Sequence, residues 1–90
     1  MRLSALIGDA GPVGTDPVVT GLAIDHRKVA PGTIFGAFVG EKFNGEDFIP
    51  AAVEAGAIAV VARPEAPVAG AVHVADANPR RAFAHIAAHY

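Results

Sequence analysis

A chain of 90 residues has room for one domain and one modest core, because a domain this small buries little more than half of the surface its unfolded chain exposes. A formal net charge of -2 and a pI near 6.0 exclude a protein that grips nucleic acid or an anionic membrane by bulk electrostatics, so any anionic ligand has to be held locally. The absence of cysteine removes disulfides, thiolate metal sites and cysteine nucleophiles from consideration, as suits a cytoplasmic protein.

Leu3, Leu6 and Ile7 are spaced for one helical turn, and the N-terminal apolar run is too short for a secretory signal or a membrane span. Gly8 to Pro17 holds three glycines, two prolines and two aspartates, which makes it loop. Val18 to Ile24 and Thr33 to Val39 read as strands, joined through a Pro31-Gly32 turn in which proline presets φ and glycine accepts a positive one. A short helix is expected over about Pro50 to Ala55, with Glu46 and Asp47 ahead of it, Pro50 at its first position and Gly56 as its stop.

Ala57 to Ala62 is a continuous apolar run, the mark of a strand covered on both faces, and is expected near the sheet centre. Pro64 and Pro67 end it, and Ala71 to Val74 gives a further short strand. Asn78-Pro79 opens a last helix on which Phe83, Ile86, Ala87 and Tyr90 share one face. That pattern reaches the final residue without a stop, so the chain reads as a fragment of a longer one. The fold class expected is α/β, a small mixed sheet with packed helices in βαβ-like order.

Several side chains invite a chemical reading. His85 and His89 are four apart on a helix, the spacing of a metal pair, but they face away from Phe83 and Ile86, on a solvated side. His73 is expected to point outward from its strand, and no metal site is assigned. Arg80 and Arg81 occupy a helix's first turn, where positive charge opposes the dipole, a hint that they serve something other than that helix; a salt bridge to Asp76 or to acids elsewhere would satisfy them. In an extended Asp25-His26-Arg27 segment, Asp25 and Arg27 point together and His26 to the opposite face. They serve either turn amides and a carboxylate such as Asp47, or a nucleotide. The loop from Gly40 to Gly45, carrying Glu41, Lys42, Phe43 and Asn44, is a second candidate, since glycine allows close backbone approach to a ligand. No G-x-x-x-x-G-K-[ST] or G-x-G-x-x-G motif occurs, so this chain holds no recognisable cradle for ATP and no catalytic residue is assigned.

These segments resemble the N-terminal domain of the Mur ligases of peptidoglycan synthesis, and within them the MurE type, the UDP-N-acetylmuramoyl-L-alanyl-D-glutamate–amino acid ligases. The motifs that carry the resemblance are Asp25-His26-Arg27, Val29 to Ala37, Gly40 to Ile49 and Ala52 to Val61. Leu3 to Ile7 and Asp76 to Ala84 favour the MurE type, while the Gly40 to Phe48 loop is also close to the MurF form, the alternative reading. A stand-alone nucleotide-binding or interaction module is the alternative from another class.

The resemblance implies that residues 1–90 are a single substrate-binding domain that holds the UDP end of UDP-N-acetylmuramoyl-dipeptide. Central ATP-binding and C-terminal ligase domains, with ATP and magnesium, would lie outside this chain, which alone would be inactive. By the family pattern the UDP contacts fall on Ile24, His26, Glu41, Lys42 and Phe43, with Asp25, Arg27, Gly40, Asn44 and Gly45 in support. Two positions depart from that pattern. His26 stands where the family has serine, and Glu41 places a negative charge beside a diphosphate. Replacing His26 by serine is expected to preserve or improve UDP binding.

Overall fold

Apolar residues at alternate positions of short strands build the core of this structure, a computed structural model that describes residues 2–3, 18–40 and 44–90. The strands are β1 (Gly21–Ala23), β2 (Thr33–Gly36), β3 (Ala59–Ala62) and β4 (Val72–Ala75), and they form one sheet in the order β1-β2-β3-β4. Each neighbouring pair is parallel, with Leu22 beside Ile34, Phe35 beside Val60 and Val61 beside Val74. The α/β class with packed helices stands. Within it the strands all run parallel, and the antiparallel pairing of a mixed sheet is confined to single bridges, Arg2 with Val18 and Val39 with Asn44.

Side-chain alternation divides the core in two. Phe35, Ala37, Val60 and Ala62 face α1 (Ile49–Glu54) through Ile49 and Ala52, whereas Ile34, Ala59 and Val61 face α2 (Pro79–His89) through Ile86. All four residues of β3 are buried, as its continuous apolar run requires. The strand connections contribute Val29, then Ile49 and Ala52, then Ala66 and Val68 to the same α1-side cluster. A parallel sheet whose strands follow in sequence order puts right-handed crossovers on one face, which leaves the other face to α2.

The turn chemistry follows the sequence. Gly32 takes φ 91° after Pro31, and Gly56 takes φ 113° at the end of α1, where a Cβ would lie 2.6 Å from the Pro31 Cα. Asn78 caps α2 by accepting from the Arg81 amide at 3.3 Å.

The face of α2 differs from expectation in its last turn. Ala82, Phe83 and Ile86 pack on the sheet, but Ala87 is exposed and Tyr90 is 51% exposed, and neither joins a core cluster. Tyr90 continues the apolar stripe by angle, yet an eleven-residue helix outruns strands of four residues and its last turn has no sheet beneath it. The helical turn predicted around Leu6 and Ile7 and the loop from Gly8 lie outside the described residues. Leu3 is buried beside Val19 and Ile86.

Candidate functional site

The carboxyl ends of β1 and β2, the turn before α1 and the start of α2 converge on one cavity of about 630 Å³. Ile24, Asp25, His26 and Arg27 line it from the exit of β1, and Phe35, Gly36, Phe38 and Gly40 from β2 and its exit. Gly45 and Phe48 come from the turn before α1, and Arg80 from the start of α2.

Residues 26–28 form a 3-10 turn rather than an extended segment. Asp25 caps it, accepting from the Arg27 amide at 2.9 Å, from Arg27 Nε at 3.1 Å and from Nη2 at 2.9 Å. Arg27 thus pairs with Asp25, not with Asp47, because a partner two residues away costs little chain entropy to reach. The guanidinium, then the turn amide, hold the Asp25 carboxyl at about 2, so it is a fixed negative charge and not a proton shuttle.

His26, freed from the extended geometry, lies flat on Phe48, with ring centroids 4.3 Å apart and planes within 1°. The imidazole at the position where a serine was expected therefore has a packing partner of its own. Ile24 is 62% exposed beside it, an apolar side chain presented at the cavity.

The second predicted loop is described only at its ends. Gly40 and Gly45 line the cavity, while Glu41, Lys42 and Phe43 lie outside the described residues. Gly45 is needed for close backbone packing, since its amide donates to the Phe38 carbonyl at 2.7 Å and a Cβ would sit 2.7 Å from the Phe38 nitrogen. Asn44 does not line the cavity; its Oδ1 accepts from the Glu46 amide at 3.0 Å and caps the 3-10 turn of residues 45–48.

Glu46, expected only to favour a helix N-terminus, is buried and takes Arg63 Nε at 2.7 Å and Nη2 at 2.9 Å. These bonds pull its carboxyl below the ordinary range and tie the cavity's Gly45–Phe48 wall to the exit of β3. His73 Nε2 donates to the Arg63 carbonyl at 3.0 Å, so this histidine serves the scaffold instead of pointing free.

Sequence reasoning missed Phe35, Gly36, Phe38, Phe48 and Arg80 as cavity residues. Arg80 does not pair with Asp76, whose carboxylate accepts from the Asn78 amide at 2.8 Å. Its guanidinium lies over the Phe38 ring, 4.8 Å from the centroid. The available signal was the misplaced charge in a helix's first turn. His85 and His89 remain on the exposed side of α2, with His89 Nδ1 donating to the His85 carbonyl at 2.8 Å.

A cavity at the carboxyl ends of parallel strands, walled by loops from several of them, is the arrangement by which open α/β domains hold ligands. Residues 18–90 match the model of the Mur ligase family, catalytic domain, and the chain belongs to that family. Three relatives named UDP-N-acetylmuramoyl-L-alanyl-D-glutamate--2,6-diaminopimelate ligase are similar along most of its length. The Zymomonas mobilis protein is 57% identical over 79 residues, 88% of this chain and 16% of that protein. The Bradyrhizobium diazoefficiens protein is 45% identical over 93 aligned positions, 100% of this chain and 19% of its own length. The Caulobacter vibrioides protein is 43% identical over 89, covering 97% and 18%. This chain therefore spans less than a fifth of the length of these relatives.

Proposed function

We propose that this chain is the part of a MurE-type ligase that holds the UDP end of UDP-N-acetylmuramoyl-L-alanyl-D-glutamate during peptidoglycan synthesis in the cytoplasm. The observation that carries this reading is the meeting of Ile24–Arg27 with Gly40 and Gly45, distant in sequence, on one cavity. At about 630 Å³ that cavity is within the ordinary range for small-molecule sites. The flat His26–Phe48 pair offers an aromatic surface to a base, and Ile24 an apolar edge. Glu41, Lys42 and Phe43 are proposed to complete the uridine diphosphate contacts from the same loop as Gly40.

ATP and magnesium are assigned here to the rest of a longer protein. The chain has no P-loop motif, and among the described residues no three His, Asp or Glu side chains converge as metal ligands. The acyl-phosphate chemistry and the attacking amine are assigned to central and C-terminal domains of a longer protein. The relatives' names favour 2,6-diaminopimelate as the amino acid added. Here the chain's own work is to bind and orient substrate, and by itself it is inactive as a ligase.

Calorimetric titration of this chain with UDP, CDP and ADP tests the reading. UDP is expected to bind more tightly than the other two; equal affinities, or none, would count against it.

A further inference from the structure

We infer that Arg80 is the group in this chain that meets the anionic portion of the ligand, and that the Phe38–Phe83 pair is its seat. The inference builds on the nucleoside diphosphate reading but stands on separate observations. Arg80 is the second residue of α2, at the carboxyl end of the sheet, and lines the same cavity as the Asp25–Arg27 turn. A cation there opposes the helix dipole, and the first turn of α2 contains no acid to offset it.

The charge balance of the cavity points the same way. Its carboxylate and guanidinium groups among the described residues are Asp25, Arg27 and Arg80. Asp25 and Arg27 neutralise one another through their bidentate contact. Arg63, behind the wall, is committed to Glu46. Arg80 has no carboxylate partner among the described residues, so in a chain of net charge -2 the described part of this cavity wall carries one uncompensated positive charge.

The seat is built for that guanidinium. Phe38 beneath it meets Phe83 edge-on, at 5.6 Å and 84°. Gly36 leaves the space for both rings, since a Cβ there would come within 2.8 Å of Phe38 Cζ and 2.9 Å of Phe83 Cδ2. With one face occupied by a ring, the guanidinium keeps its N–H edges for a planar, bidentate acceptor such as a phosphate. An anion bound there would also meet the favourable end of the α2 dipole, turning an unfavourable cation into half of a matched pair.

The test is calorimetry of the unaltered chain, Arg80→Gln and Arg81→Gln with three probes: UDP, uridine and inorganic pyrophosphate. Arg80→Gln is expected to weaken UDP and pyrophosphate about tenfold or more while leaving uridine unchanged, as loss of a charge-assisted contact requires. Arg81→Gln should leave all three unchanged. Equal weakening of uridine and UDP would show that Arg80 merely supports Phe38, and would overturn the inference. So would unchanged affinity for UDP and pyrophosphate, or failure of both to bind the unaltered chain. If pyrophosphate binds and depends on Arg80 while uridine adds nothing, the anion site stands and the uridine reading falls. Should Arg80→Gln unfold, the Arg80 Nε–H resonance of the unaltered chain decides: movement with pyrophosphate is expected, and a fixed resonance contradicts the assignment.

Discussion

Glu46→Gln removes a charge from the wall of the cavity without changing the shape of the side chain. Glu46 is 8% exposed and accepts two bonds from Arg63, at 2.7 and 2.9 Å. Glutamine can keep one of them through its carbonyl oxygen, without the ion pair, but its NH2 then opposes a second N–H of the guanidinium. The loss of a charged hydrogen bond is worth about 1.5–3 kcal/mol. The Arg63 side chain is 42% exposed and also lies 3.5 Å from Glu65, so solvent and a second acid soften the loss. That screening places the expected cost near the lower end, about 1.5–2 kcal/mol. For a domain of this size the melting temperature should fall by about 6–16 °C. Circular dichroism melts of both single variants and of the Glu46→Gln/Arg63→Gln double variant would give a coupling of about 1–2 kcal/mol. UDP affinity should weaken with it, because Gly45 and Phe48 ride on the same turn. A melting temperature unchanged at neutral pH, or a coupling near zero, would refute the view that this pair fixes the wall.

Gly36→Ala should cost about 1–2 kcal/mol, because the clash falls on ring edges that can shift, yet it should impair anion binding more than stability by moving the seat of Arg80. Thermal melts and pyrophosphate titration separate the two effects. His26→Ser loses the stack on Phe48 and should cost about 1 kcal/mol of stability while UDP binding is retained, because the Phe48 ring it uncovers still offers the base an aromatic face; calorimetry checks this. Acid should destabilise the chain in a defined window. The Asp25 and Glu46 carboxyls are both depressed, so their contribution is fully present above their ordinary values of 3.8 and 4.5 and is lost as pH falls through the depressed ones. Melts from pH 7 downward should show this loss beginning near pH 4.5, with a shallower decline in Glu46→Gln.

What the sequence disclosed was local. The buried run at Val60 and Val61, the Pro31-Gly32 turn, the Gly56 stop and the Asn78-Pro79 start depend on residues a few positions apart, and each appears where its chemistry requires. Interactions that span the chain were not legible. Glu46 and Arg63 are 17 residues apart, and nothing in either segment names the other. Arg80 was recognisable as a misplaced charge, but its contact with Phe38 depends on α2 crossing beside the exit of β2. The Asp25 turn shows the converse error. Alternation along an extended chain separates His26 from its neighbours, whereas a local hydrogen bond closes the backbone and turns the imidazole onto Phe48. Both predicted loops contribute to the cavity lining. Their ligand contacts depend on an occupant and on Glu41 to Phe43, which local pattern does not place.

Amide chemical shift mapping of this chain during a UDP titration tests the proposed site most directly. Shifts concentrated at Ile24–Arg27, Gly36, Gly40, Gly45 and Arg80 are the expected result. Shifts absent from those residues, or confined to the exposed His85 and His89 side of α2, would contradict it.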